Sequence, residues 1–171
     1  MPMKKIALAL LGFCWLIVGC DDGDLQIETL DFDDTSVQSC SPLTTSTRVF
    51  FKINQDEALI LQLASGLLRN EVSTDTIQSP ISTSGSQLFY RVFSETVNSS
   101  YFCSLFPPVE PSVLEQISAQ GGQVLITTTA VDSLEFLHNI KLQGLVLENS
   151  LGEQIIDQTV SDFGTVTTSA N

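Results

Sequence analysis

Along most of this chain the apolar residues come in short runs, rich in β-branched and aromatic side chains and separated by polar or Gly/Pro-containing breaks. The runs TRVFFKIN (47–54) and ALILQLA (58–64) flank Asn54, Gln55, Asp56 and Glu57, the pattern of two strands joined by a polar hairpin. A third run, QLFYRVFSE (87–95), sets Leu88, Tyr90 and Val92 against Phe89, Arg91 and Phe93. A fourth, GQVLITTTAVD (122–132), is dominated by Thr and Val, and the Gly121–Gly122 pair punctuates its start. Alternation is clearest in LEFLHNIKLQGLVLEN (134–149), where Leu134, Phe136, His138, Ile140, Leu142 and Val146 share one parity and Glu135, Leu137, Asn139, Lys141 and Gln143 the other. A period of two sustained over that length predicts a half-buried strand rather than a helix.

The tail GEQIIDQTVSDFGTV (152–166) is expected to return antiparallel after a turn at Asn149–Gly152. Pro111–Gln120 admits two readings. Pro111 suits the first turn of a short helix carrying Leu114 and Ile117, whereas Val113, Glu115 and Ile117 alternate as a strand would, and the strand is preferred. The Ser/Thr-rich segments 41–47 and 73–86 read as loops or edges. Roughly seven short strands with turn signals between them predict an all-β fold, a single antiparallel β-sandwich of the immunoglobulin-like or a similar kind, over residues 41–171.

The beginning of the chain follows a different pattern. Lys4 and Lys5 precede an uncharged apolar stretch from Ile6 to Val18, which is followed by Gly19, Cys20 and then Asp21 and Asp22. A basic start, an apolar run of about a dozen residues and a small residue before a cleavage point describe a secretory signal peptide. The run is too short for a membrane-spanning helix, which needs roughly 20 apolar residues. Ile17-Val18-Gly19-Cys20 resembles the lipobox of bacterial lipoproteins. That resemblance covers residues 1–20 and implies removal of residues 1–19, a lipid on the Cys20 sulfur and an acylated new terminus. Each buried methylene contributes roughly 0.8 kcal/mol, and two or more chains anchor stably where one does not.

Seven of the fifteen residues in CDDGDLQIETLDFDD (20–34) are acidic and none is basic. Residues 20–40 are therefore read as a lipidated, solvated tether that includes a first strand. In some Gram-negative lineages acidic residues after the lipidated cysteine resemble an export signal for the outer membrane surface, and in others Asp at the second mature position is associated with inner-membrane retention. The dense cluster favours the outer membrane, with the domain exposed at the cell surface. The carboxylates do not have the spacing of an EF-hand loop.

Charge narrows the partners. The whole chain carries 20 acidic and 7 basic residues, net −13; removing Lys4 and Lys5 leaves five basic residues and a net charge of −15. A surface of that sign repels phosphate backbones and anionic head groups, so no nucleic-acid partner is expected and the membrane is reached through the lipid on Cys20. Cys14 lies in the removed segment, which leaves Cys40 and Cys103 as a candidate disulfide in an oxidising compartment. The alternative is two small buried thiols. No neighbouring His or Cys completes a zinc set, and neither a metal nor a cofactor is expected.

Candidate chemistry is sparse. His138, the only histidine, falls on the apolar parity of its strand and is read as a hydrogen-bonded core residue rather than a general base. No Gly-x-Ser-x-Gly elbow, phosphate-binding loop or His-Glu-x-x-His pair is present. Glu110, Glu115, Asp132, Glu135, Asp157 and Asp162 are the carboxylates from which a hydrolase would have to draw an acid and a base. The only tryptophan, Trp15, leaves with the signal segment. Tyr90 is expected in the core, and Tyr101, within the proline-containing NSSYFCSLFPPVEP, marks the segment where a recognition surface is expected.

Downstream of the tether the chain resembles small, acidic, β-rich lipoproteins of Gram-negative envelopes, in its acidic stretch after the cysteine and in runs such as FFKINQDEALILQL. That resemblance implies no activity. The expectation is a non-enzymatic, lipid-anchored envelope protein that binds or scaffolds another envelope protein or a glycan. A small carboxylate-pair hydrolase and a carbohydrate-binding or adhesion module are the alternatives.

Overall fold

The computed structural model of the chain describes residues 30–149, 152 and 154–170. The expected signal peptide, Cys20 and most of the expected tether fall on residues 1–29, outside the described residues. Among the described residues there are seven strands, β1 (Val49–Asn54), β2 (Glu57–Gln62), β3 (Ile77–Pro80), β4 (Gln87–Phe93), β5 (Val113–Ala130), β6 (Glu135–Glu148) and β7 (Gln154–Ser169), and one helix, α1 (Ser99–Cys103), between β4 and β5. All strand pairs are antiparallel. The expected all-β antiparallel class is what the chain adopts.

Two facing sheets are not what the hydrogen bonding describes, however. The strands form one continuous sheet in the order β1-β2-β4-β5-β6-β7, curled into a half-barrel. β5 is long enough to hold β4 along Val113–Ser118 and β3 along Gln123–Ile126 on one edge, with β6 on the other. The curl has a local cause. The register shifts around Gly121 in β5, between Gln143 and Leu145 in β6, and between Ile140 and Lys141 where β7 approaches Gly164. Gly122, Gly144 and Gly164 adopt positive φ at these places, which costs glycine no Cβ clash. Bulges on neighbouring strands bend the sheet along a crease.

These bulges correct two sequence expectations. The Gly121–Gly122 pair does not open a strand: β5 runs through it from Val113 to Ala130, joining most of the 111–120 and 122–132 segments, with the glycines as the bulge. In β6 the core parity of His138, Ile140 and Leu142 does not continue to Val146. The extra residue at Gly144 resets the phase, and Leu145 and Leu147 take the buried positions.

The concave side of the sheet encloses the main core, to which Phe50, Leu61, Tyr90, Ile126, Ile140, Leu142 and Phe163 contribute from six strands. Tyr90 is buried as expected, and its hydroxyl donates to Glu57 Oε1. β1, β2 and β4 are apolar on their outer face as well. Phe51, Ala58, Ile60 and Phe93 form a second cluster there, under α1. Burial on both faces explains why VFF and ALIL are continuous apolar runs without alternation.

The gap between the two end strands, β1 and β7, is closed by the end of the acidic tether. Phe32 is buried in the main core, Asn54 Nδ2 donates to the Asp31 carbonyl at 3.0 Å, and Gln38 exchanges two backbone hydrogen bonds with Phe51. Val37 lies so close to Gly164 that a Cβ there would stand 2.5 Å from Val37 Cγ2.

Candidate functional site

Three places in the fold concentrate unusual groups. The first is the segment after α1. Asn98 caps the helix, its Oδ1 accepting from Ser100 N at 3.0 Å. Cys103 at the helix end is bonded to Cys40. Phe102 stacks on Phe51 with ring centroids 4.6 Å apart, and Tyr101 meets Phe93 edge-on at 4.9 Å. Tyr101 thus buttresses the helix against the outer cluster, half-buried, instead of presenting a free ring.

The groups offered to solvent are the next ones along the chain. Leu105, Phe106 and Val109 are 88, 83 and 87 % exposed. Their backbone is restrained: Pro107, Pro108 and Pro111 fix φ, Ser94 N donates to the Ser112 carbonyl at 2.9 Å, and Glu110 Oε2 accepts from Ser112 N at 3.0 Å. Three large apolar side chains held out on a braced loop form a patch of the sort that marks an interaction site. The sequence pointed to this segment through Tyr101; the signal for the outward residues was the absence of any strand or helix period in SLFPPVEP.

The second place is the seam between β1 and β7. Lys52 shares the parity of Phe50, so its stem points into the half-barrel, and the residue is only 3 % exposed. Its Nζ lies 6.0 Å from the centre of the Phe163 ring. An open cleft of roughly 670 Å³ sits above it, lined by Asp33, Thr35, Ser36, Ser161, Asp162 and Thr165 among others. A small adjoining chamber of about 40 Å³ reaches down to Phe32, Leu59 and Phe163. Burial pushes the Lys52 ammonium below its ordinary pKa, and the negative charges of Asp33 and Asp162 act in the opposite direction. Sequence reading passed over Lys52, because a single cation in an apolar run resembles a surface position.

The third is His138. It is fully buried, with Nδ1 2.8 Å from Thr128 Oγ1 and Nε2 2.8 Å from Thr168 Oγ1. The Thr168 hydroxyl donates to Asn70 Oδ1 at 2.6 Å, so Thr168 accepts from Nε2–H, and Nδ1 accepts from Thr128. Both ring nitrogens are engaged, as expected for a core histidine.

Burial holds the His138 pKa below its ordinary 6.5. The unfolded chain takes up a proton as pH falls through about 6.5 while the folded ring stays neutral, so stability is lost with acidification from that pH down to the folded-state value. The loss cannot exceed about 1.4 kcal/mol per pH unit for one proton. Urea midpoints between pH 7.5 and 5.5 should fall for the wild type and stay flat for His138→Asn, since no other histidine titrates there. A wild-type midpoint that does not move over this interval contradicts the assignment.

The candidate carboxylates that are described lie dispersed over the fold, and two of them serve local backbone turns. Asp132 Oδ1 accepts from Leu134 N and Glu135 N at 2.7 and 2.8 Å, and those bonds hold its pKa down. Glu110 is bonded at the loop base. Asp162 lies at the seam cleft, and Glu115 and Glu135 are exposed in β5 and β6. The Asp157 side chain is outside the described set. Among the described residues no group of three or more His, Cys, Asp or Glu side chains is arranged to hold a metal ion. No protein family, curated protein or solved structure matches this chain.

Proposed function

We propose that this chain is a lipid-anchored, non-enzymatic binding module of the bacterial cell envelope, held to the outer membrane through Cys20 and docking a protein partner on the loop Leu105–Val109. The observation that carries the reading is the braced apolar loop. An interface pays for ordering its side chains and backbone, and a loop already fixed by three prolines, a disulfide at one end and the Ser94–Ser112 pair at the other has little left to lose. Large apolar side chains in a rigid setting are the usual anchors of protein interfaces. The Cys40–Cys103 bond agrees with an oxidising compartment outside the cytoplasm, which the lipobox-like Ile17–Cys20 also implies. The non-enzymatic reading draws on His138, sealed in the core, and on Asp132 and Glu110, whose carboxylates accept local backbone hydrogen bonds.

A photo-crosslinking residue placed at Phe106 in intact cells should give a discrete adduct with another protein. The same residue at the exposed Val72 should not, and Leu105→Ser with Val109→Ser should reduce the adduct at least fivefold. Identical adducts from both positions, or none from Phe106, would overturn the docking surface. Anchoring is read separately: Cys20→Ser should block labelling by radioactive palmitate and release the protein from membranes, and protease shaving of intact cells should cleave it only if the domain faces outward.

A further inference from the structure

We propose that the seam cleft between β1 and β7 is a binding site for a neutral polyhydroxylated ligand, a glycan segment, held by Lys52 between Asp33 and Asp162. The inference does not depend on the membrane anchor or on the apolar loop.

Lys52 is the starting point. Its four-carbon stem is buried beside Phe163, yet among the described residues its ammonium has no hydrogen-bond acceptor and no carboxylate within ion-pair distance. Asp33 and Asp162 act on it through space only. Among the described residues no side-chain nitrogen or oxygen sealed from solvent lacks a partner. The ammonium must therefore open onto the cleft and the small chamber that adjoins it, both of which Lys52 lines. An ammonium with its donors unused at the base of a cavity is costly to maintain in a fold, and packing alone would be served better there by Met or Leu. Three N–H donors aimed into a cavity call for an oxygen-bearing ligand.

The rim selects which one. Two carboxylates against one ammonium, on a chain of net charge −13, disfavour a phosphate or carboxylate ligand. The ammonium at the floor disfavours a cation. The hydroxyls of Ser36, Ser161 and Thr165 make the mouth polar, so an apolar ligand would leave them unpaired. A sugar hydroxyl both donates and accepts. One can take a hydrogen bond from Lys52 while its neighbour gives one to Asp33 or Asp162, and bonds to charged partners are the stronger kind. The cleft, at roughly 670 Å³, lies within the usual range for ligand sites. The Phe163 ring lies below Lys52 and not on the cleft wall, so no stacking platform adds to the polar contacts, and affinity is expected on the order of millimolar.

The test is an NMR titration of the full chain with neutral maltotriose and chitotriose, and with trigalacturonate and fully deacetylated chitotriose as charged comparators. At least one neutral sugar should give saturable shifts at Asp33, Lys52, Ser161 and Asp162, with both charged sugars weaker by threefold or more. Lys52→Met, which keeps the stem's volume, should weaken binding about tenfold and leave the spectrum folded. Asp162→Asn, at an exposed position, should weaken it about threefold and keeps the test decisive if the Lys52 variant fails to fold. Saturable shifts that avoid the cleft, stronger binding of trigalacturonate, no binding of either neutral sugar at ~20 mM, or full binding by Asp162→Asn would each overturn the proposal.

Discussion

The Cys103→Ser variant is expected to lose about 4 kcal/mol of stability, because the bond it removes closes a loop of 63 residues between Cys40 and Cys103 and so restricts the unfolded chain. The consequence is larger at α1 than elsewhere. That helix has five residues, none of them fully buried, and a helix so short has no stability of its own. It is held by the bond, by the Phe51–Phe102 stack and by the Asn98 cap. Without the bond α1 detaches, Phe51 and Phe93 lose their cover, and the Leu105–Val109 loop loses its fixed base. Urea midpoints of the oxidised and reduced wild type, with dye binding to the uncovered aromatic cluster, measure both effects. A stability change below about 1 kcal/mol would mean that the outer cluster holds itself together.

Phe32→Ala should cost about 3 kcal/mol, the usual loss for a buried phenylalanine truncated to alanine. Phe32 is 4 % exposed, packs edge-on against Tyr90 with centroids 6.4 Å apart, and belongs to a segment that a reading by composition assigns to a solvated tether. Its removal unplugs the seam, so amide exchange should quicken first at Gln38 and Phe51, whose paired backbone bonds close the gap. Phe102→Ala, on the other face of the sheet, should leave the Gln38 amide as protected as before. If the two variants loosen the same amides, the seam plug is not a separate unit.

Strand identity was legible because it rests on period and on β-forming composition, and the runs around Phe50, Ile60, Tyr90, Ile126 and Ile140 carry both. Strand phase was not. One glycine at position 144 exchanges Val146 for Leu145 and Leu147, and nothing in the alternation announces where a bulge falls. Gly121–Gly122 was visible as a break and became a bend, since glycine serves either end and only pairing with β6 decides between them. α1 escaped notice because five residues are too few to show a helical period, although Asn98 ahead of it and Pro107 beyond it are ordinary boundary residues. Division into one sheet or two depends on which edges pair, a long-range matter that no local pattern encodes. For the sites, Cys40 with Cys103 could be inferred from compartment and count. Lys52 could not, because its significance comes from Phe163 and Asp162, more than a hundred residues away in sequence.

The covalent link at Cys40 also decides how the domain responds to tension drawn from its N-terminal side. Residues Leu30 to Cys40 are attached by Phe32, the Asp31–Asn54 bond and the Gln38–Phe51 pair, each of which can be peeled away singly. Peeling stops at the sulfur bridge, where the load divides between the strand that begins at Val49 and the helix that ends at Cys103. Drawn out, the segment spans roughly 35 Å, a short leash that runs taut before any strand of the sheet is strained.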